Sequence, residues 1–241
     1  MNTKVAMLDP VVPVLVQFFQ QNLPRLQRVY QWQIPVLAGF SAQKQRGYDA
    51  NVQLKQHLAQ RWELASREQQ LELAKFVVAK WGGVRGNKPE TLAAYVDELN
   101  KAQPTTPLKG IASYSKIFSI AKPTQYAIYD ARVAACLNAI QWLAGAQGVA
   151  FCYVDGRNNV VGHSQKKIGF THNPTFALKA LYAKGWTEIR KDDCYATYLQ
   201  LLQRCAAELD GAPIYQLEML LFALAEEQCQ AAIDQAERAA S

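Results

Sequence analysis

The sequence has few histidines and cysteines and no long run of apolar residues. It holds three histidines, and its five cysteines are scattered without a C-x-x-C pair: Cys136, Cys152, Cys194, Cys205 and Cys229. An odd number of dispersed cysteines predicts free thiols in a reducing compartment. No apolar run approaches the ~18 residues of a membrane span, and the first residues lack the pattern of a secretory signal. We therefore expect a cytoplasmic protein with no membrane segment.

What the sequence does contain is enough apolar residues for a large core and a modest excess of positive charge. Half of its 241 residues are hydrophobic, which suits one large domain or two closely packed ones. Lysine and arginine number 26 against 20 acidic residues, for a net charge of +6. Basic residues recur in short local groups. This balance mildly favours an anionic partner.

Helical patterns dominate the chain. Apolar residues recur at helical spacing within residues 48–62. The stretch SREQQLELAKFVVAKW begins with Ser66 and has Gln69 three residues later, the pattern of a capping box. Another helix is predicted to begin at Pro89, after the glycine-rich turn GGVRGNK, Gly82 to Lys88. We expect an all-α fold with at most a small β-hairpin.

The stretch GIASYSKIFSIAKPTQYAIYDARVAACL predicts two helices separated by a turn. The first must stop before Pro123, which lacks an amide donor and restricts its predecessor. Asp130 then caps the second helix. A continuous helix would hold Lys116 and Asp130 ~21 Å apart at 1.5 Å per residue, whereas an extended return over the intervening residues retraces ~17 Å. The turn is therefore predicted to bring Lys116 and Asp130 together.

A lysine beside a carboxylate has a recognisable chemistry. A neutral lysine amine is a nucleophile that forms Schiff bases, and burial lowers its pKa toward that state. A carboxylate next to it can orient the amine and stabilise an oxocarbenium-like sugar centre. The alternative interpretation is that Lys116 is a solvated helix lysine and that Asp130 is only a cap.

At these residues the sequence resembles the helix-hairpin-helix base-excision DNA glycosylases, specifically the 8-oxoguanine branch. The order LKGIASYSK, a short helix, a proline and YAIYD is similar to the hairpin and catalytic segment of that family. The resemblance implies that Gly110 is the hairpin glycine, Lys116 the nucleophile and Asp130 the catalytic aspartate. It also implies a two-lobed helical unit spanning 1–241. We expect one lobe over 66–145 and a flanking lobe from 1–65 plus 146–241.

The DNA contacts expected on this basis cluster around the hairpin and two loops. Asn87 lies in roughly the place of the family's intercalating asparagine, and Arg132 stands where its 8-oxoguanine enzymes carry a histidine. Lys166 and Lys167 lie on a basic connection that can reach phosphates. Trp81 adjoins the glycine turn and is a candidate for stacking on a base. The predicted DNA-binding residues are Arg85, Asn87, Lys88, Gly110, Ser113, Ser115, Arg132, Lys166 and Lys167.

No cofactor is expected. The iron–sulfur cluster of related enzymes needs four compactly grouped cysteines, and Cys194, Cys205 and Cys229 do not supply them. His163 and His172 lie nine residues apart without a carboxylate or cysteine that would complete a metal site. The resemblance implies double-stranded DNA with a damaged base, such as 8-oxoguanine, as the partner of a monomeric, nucleoid-associated glycosylase and AP lyase.

Two other functions stay open at this point. The hairpin GIASYSK is longer than the family's and lacks its second glycine, so a catalytically silent DNA-binding protein of the same fold is one alternative. The other is a serine hydrolase, because Ser113 and Lys116 satisfy S-x-x-K, in which one helical turn joins a hydroxyl and an amine. Those hydrolases also need a sizeable sheet and a K-T-G strand, for which the chain offers only the KIG of residues 167–169.

Overall fold

The computed structural model describes residues 6–240, which are mostly helical. The α-helices are α1 (Val11–Asn22), α2 (Leu26–Val29), α3 (Tyr48–Leu64), α4 (Arg67–Lys75), α5 (Pro89–Leu99), α6 (Ile111–Ala121), α7 (Ala131–Leu143), α8 (Leu178–Ala183), α9 (Cys194–Ala207) and α10 (Ile214–Ala240). Turns of 3₁₀-helix occur at Leu23–Arg25, Phe170–His172, Pro174–Phe176 and Lys191–Asp193.

Strands are a minor part of the fold. The two-residue strand β1 (Val149–Ala150) pairs in parallel with β4 (Thr187–Glu188). Strand β2 (Arg157–Asn158) pairs antiparallel with β3 (Gly162–His163), which makes the small hairpin that the sequence allowed. The mostly helical class predicted from the sequence is therefore confirmed.

Local signals in the sequence explain where α4 begins and how it continues. The Ser66 hydroxyl accepts from the Gln69 amide at 3.4 Å and the Gln69 side chain accepts from the Ser66 amide at 2.8 Å, so the capping box is confirmed. At its other end α4 runs into a π-helix, Phe76–Trp81. The Gly82 amide donates to the Val77 carbonyl at 2.9 Å, five residues back. This π-helix leads directly into the glycine-rich turn.

Helices α6, α7 and α10 form the centre of the molecule. Every residue of α6 except Ala112 is buried, so α6 has core on almost all sides. Helix α10 packs along α7, and one hydrophobic core extends from Leu8 to Ala232. A small second cluster holds Ala150, Leu181 and Trp186. The division into the lobes 66–145 and 1–65 plus 146–241 stays a prediction.

The sequence also predicts free cysteine thiols and no membrane-spanning segment. All five cysteines are buried free thiols, as predicted. Among residues 6–240, no helix combines the length and apolar character that crossing a bilayer requires.

Candidate functional site

The predicted turn after α6 brings Lys116 and Asp130 together. Helix α6 ends at Ala121, and the amides of Gln125 and Tyr126 both donate to the Lys122 carbonyl at 3.0 Å. The chain then returns to Asp130 through residues 126–129, which have no regular secondary structure. The Nζ atom of Lys116 lies 4.0 Å from Oδ2 of Asp130, so the predicted proximity of these two residues is confirmed.

Asp130 uses its two carboxylate oxygens differently. Its Oδ1 accepts from the backbone amides of Arg132 at 3.0 Å and Val133 at 3.1 Å, which caps α7 as predicted. Its Oδ2 faces the Lys116 ammonium group. The carboxylate is therefore fixed by the start of α7 and still directed at the lysine.

Lys116 is not a solvated helix lysine, because only 5% of the residue is exposed. Its Nζ donates to the Ala112 carbonyl at 2.7 Å. Burial lowers the pKa of the amine, and the nearby charge of Lys55 lowers it further, while Asp130 and Glu218 act in the opposite direction. The net direction is downward, which favours the neutral amine needed for nucleophilic attack.

The glycine turn makes room for the lysine side chain. A Cβ atom added at Gly82 would lie 2.5 Å from Cδ and 2.7 Å from Cε of Lys116, and 2.8 Å from the Val77 carbonyl oxygen. Gly82 has an ordinary backbone conformation, so the requirement is for space. The π-helix of residues 76–81 is thus followed by glycine, the one residue type that leaves room for the Lys116 side chain.

Lys116 and Asp130 border a cavity of about 1050 Å³. The glycine turn, the segment before α6 and the residues around the β2–β3 hairpin form its rim. Phe222 of α10 packs edge-on against Trp32, with ring centroids 5.3 Å apart. The aromatic residues that line the cavity are Tyr30, Trp32, Trp81, Tyr153 and Phe222. Such walls suit a flat, partly apolar ligand with a few polar groups.

A second ion pair in this region was not predicted from the sequence. Lys55 of α3 donates to Oε2 of Glu218 of α10 at 2.9 Å, and both residues are almost fully buried. Glu218 lines the cavity, and within residues 6–240 its other oxygen has no hydrogen-bond partner. Burial raises the pKa of Glu218, and Lys55 opposes that shift. Three charged groups, Asp130, Glu218 and Lys55, therefore act on the Lys116 amine.

A sequence signal for this pair existed. Glu218 interrupts the apolar run Leu217–Leu221, and Lys55 follows Leu54 on the buried side of α3. A charged residue inside an apolar stripe needs a buried partner. The partner itself lies 163 residues away, so no local pattern identifies it.

Three of the nine predicted DNA-binding residues line the cavity, and four others are exposed on loops that contribute lining residues. Gly110, Ser113 and Arg132 line it. Arg85 and Lys88 are exposed on the glycine turn, and Lys166 and Lys167 are exposed just beyond the cavity-lining Gln165. Gly110, Ser113 and Arg132 thus line the same cavity as Lys116, and contact of all seven residues with DNA stays a prediction.

The prediction that Ser115 contacts DNA is wrong. Ser115 is fully buried, and its hydroxyl donates to the Tyr129 carbonyl at 3.3 Å and accepts from the Tyr129 amide at 3.1 Å. Because α6 is buried on nearly all sides, Ser115 has no surface to offer to DNA. Its hydroxyl instead makes hydrogen bonds to buried backbone.

Trp81 lies in the wall of the cavity and does not project from the glycine turn. Only 3% of the residue is exposed, and its indole N–H donates to Oδ1 of Asn51 at 2.9 Å. The Lys55 ammonium group lies 5.6 Å from the ring centroid. These contacts fix the ring in place, and its stacking on a base stays a prediction.

Asn87 contacts the first turn of α6. Its side-chain amide donates to Oγ of Ser113 at 2.9 Å, which connects the glycine turn to the helix that carries Lys116.

The hydrolase interpretation pairs Ser113 with Lys116, but the Lys116 amine donates its hydrogen bond to the Ala112 carbonyl. Residues 6–240 contain two two-stranded sheets and none of the size that S-x-x-K hydrolases use, so the hydrolase interpretation lacks its structural basis.

Comparison with protein-family models, curated proteins and solved structures finds no match for this chain. In the part of the chain that the structure describes, no group of three or more histidine, cysteine or acidic side chains is arranged to hold a metal ion. The case for a function therefore rests on the geometry around Lys116.

Proposed function

We propose that the protein is a base-excision DNA glycosylase with lyase activity that removes a damaged purine, such as 8-oxoguanine, from duplex DNA. The observation that carries the proposal is the 4.0 Å approach of the buried Lys116 amine to the Asp130 carboxylate at the edge of an aromatic-walled cavity. The resemblance of LKGIASYSK and YAIYD to the helix-hairpin-helix glycosylases supports it, since Lys116 and Asp130 are the two residues that the resemblance makes catalytic.

The cavity suits a base that has been turned out of the duplex. Enzymes that act on a base extrude it into such a pocket, at a cost of a few kcal/mol that is lowest for a damaged or mispaired base. The walls offer aromatic surface from Trp32 and Phe222. The free oxygen of Glu218 can accept a hydrogen bond from a ring N–H or an exocyclic amine of the base.

The chemistry follows from the position of the amine. Neutral Lys116 attacks C1′ of the deoxyribose, so an N–C1′ bond forms while the bond from C1′ to the base breaks. The base leaves with the bonding electron pair and takes up a proton. Asp130 stabilises the positive charge that develops on the sugar and helps to remove the proton that the amine loses. The C1′–O4′ bond then breaks and O4′ takes up a proton, so the sugar ring opens to an iminium ion. Removal of a proton from C2′ expels the 3′ phosphate by β-elimination, which nicks the strand.

The rim of the cavity supplies the charges for holding DNA. Arg85, Lys88, Lys166 and Lys167 are exposed cations on two loops that flank the cavity. Phosphate contacts of this kind position a duplex without reading its sequence. Asn87 would fill the space that the extruded nucleotide leaves, after releasing its hydrogen bond to Ser113.

A panel of duplexes that each carry a single lesion tests the proposal. We expect wild-type protein to release at least one damaged purine, and Asp130→Asn to lose that activity while keeping its fold, because asparagine caps a helix about as well as aspartate. If Asp130→Asn melts at a much lower temperature and its folded fraction is fully active, Asp130 is structural only. Salt-sensitive DNA binding with no release of any base would indicate a silent DNA-binding protein.

A further inference from the structure

The segment that presents Asp130 is held by side chains. Residues Ala127, Ile128 and Tyr129 are buried and have no regular secondary structure, and within residues 6–240 they make no backbone–backbone hydrogen bond. Buried backbone groups without partners are costly, so this segment needs other donors and acceptors. Whatever supplies them also sets where Asp130 lies.

Three buried hydroxyls supply those partners. Tyr195 donates to the Ala127 carbonyl and Tyr198 to the Ile128 carbonyl, both at 2.8 Å. Ser115 of α6 bonds both the amide and the carbonyl of Tyr129, at 3.1 and 3.3 Å. All three residues are 0% exposed. Consecutive residues of the segment are thus bound by hydroxyls that come from α6 and α9.

The three hydroxyls come from two different helices, α6 and α9. Ser115 immediately precedes Lys116 on α6, so one helix carries the nucleophile and also hydrogen-bonds Tyr129, the residue before Asp130. The tyrosines approach from α9, where the Tyr198 ring also packs edge-on against Tyr129 at 5.1 Å. Contacts outside the cavity therefore fix the position of Asp130 relative to Lys116.

We propose that Ser115, Tyr195 and Tyr198 are positioning residues that hold Asp130 in place against Lys116. They touch neither substrate nor the reacting atoms and act through the backbone of residues 127–129. Loss of one hydroxyl leaves a buried backbone group without its partner and frees the segment to move. Asp130 would then lie farther from the lysine.

The Lys116 amine itself reports this distance. The charged groups that face it are Asp130, Glu218 and Lys55, and of these only Asp130 lies on the segment that the hydroxyls hold. Asp130 raises the pKa of Lys116 against the effect of burial. Moving the carboxylate away removes that influence, so the pKa of Lys116 must fall further. A variant that is merely less stable would leave the pKa of its folded molecules unchanged.

The experiment follows the ¹³Cε chemical shift of Lys116 against pH in protein with ¹³C-labelled lysine, with the resonance assigned from Lys116→Gln. It needs neither DNA nor activity. Asp130→Asn gives the full downward shift of the titration midpoint. Ser115→Ala and Tyr198→Phe should shift it in the same direction by a part of that amount. Tyr114→Phe is the matched control, since its hydroxyl donates at 2.7 Å to the Pro107 carbonyl, before α6.

A rate measurement accompanies the titration and rests on the proposed function. Base release by Ser115→Ala or Tyr198→Phe should fall in kcat with little change in KM, by about 10²-fold for a displacement of ~1 Å. If wild type releases no base while the titration shifts occur, the proposed function fails and the positioning inference stands.

Three results would overturn the positioning role. One is a wild-type midpoint in both hydroxyl variants, and another is an equal shift in Tyr114→Phe. The third is a midpoint that Asp130→Asn leaves unmoved, since Asp130 would then not act on the amine. Should Ser115→Ala fail to fold, Tyr198→Phe decides the matter alone, because it removes one oxygen and keeps the ring.

Discussion

Gly82→Ala is a small change that should separate the lysine from its carboxylate. The added methyl carbon would lie 2.5 and 2.7 Å from two carbons of the Lys116 side chain, well inside contact distance. It would also lie 2.8 Å from the Val77 carbonyl oxygen, which is backbone of the π-helix and cannot simply rotate away. The lysine chain is the more flexible neighbour, so we expect it to give way.

Two magnitudes follow from this overlap. Forcing one extra carbon into a packed site typically costs ~1–3 kcal/mol of unfolding free energy. A shift of Lys116 Nζ by ~1 Å should lower the rate of base release by about 10²-fold. Denaturant unfolding measures the first quantity, and single-turnover assays on a lesion duplex measure the second.

Gly86→Ala is the matched control on the same turn. An added Cβ there meets no atom within 4 Å and the residue does not need a positive φ, so stability and rate should stay close to wild type. If Gly82→Ala is as stable and as active as Gly86→Ala, the lysine does not depend on the space that Gly82 leaves.

The remaining predictions concern the buried pair and the DNA surface. Lys55→Met should cost ~3–5 kcal/mol at neutral pH because it leaves Glu218 uncompensated. The loss should shrink at acidic pH, where the carboxyl group with its raised pKa is protonated, and an equal loss at both pH values would contradict this. Asn87→Ala should slow removal of a paired lesion far more than of a single-stranded one, and equal slowing would refute a strand-opening role. The logarithm of the DNA-binding constant should fall with the logarithm of salt concentration by about 0.9 per contacted phosphate, and a flat response would argue against DNA.

Local signals in the sequence predicted several of the helices, including the two that flank the central turn. The capping box at Ser66 and the cap at Asp130 depend on residues within one helical turn of each other, so the sequence alone predicts them. Pro123 ends the possibility of a continuous helix, and chain geometry then brings Asp130 back toward Lys116. The 4.0 Å approach confirms this reasoning.

The surroundings of the pair depend on long-range packing and were harder to predict. Lys55 and Glu218 meet across 163 residues, and Tyr195 reaches Ala127 across 68. Ser115 was predicted to bind DNA, but α6 is enclosed by core and the Ser115 hydroxyl makes hydrogen bonds inside the protein. Sequence periodicity reports one face of a helix, and it does not reveal that every face is covered.

The most direct test of the account is borohydride trapping on duplexes that carry single lesions. Wild-type protein should form a covalent adduct with DNA through Lys116, and Lys116→Gln should bind the same duplex and form none. Lys109→Gln is the control, because Lys109 is an exposed lysine on the rim of the same cavity and its loss should leave trapping intact. Undiminished trapping by Lys116→Gln, or base release by wild type without any adduct, would contradict a Lys116 nucleophile.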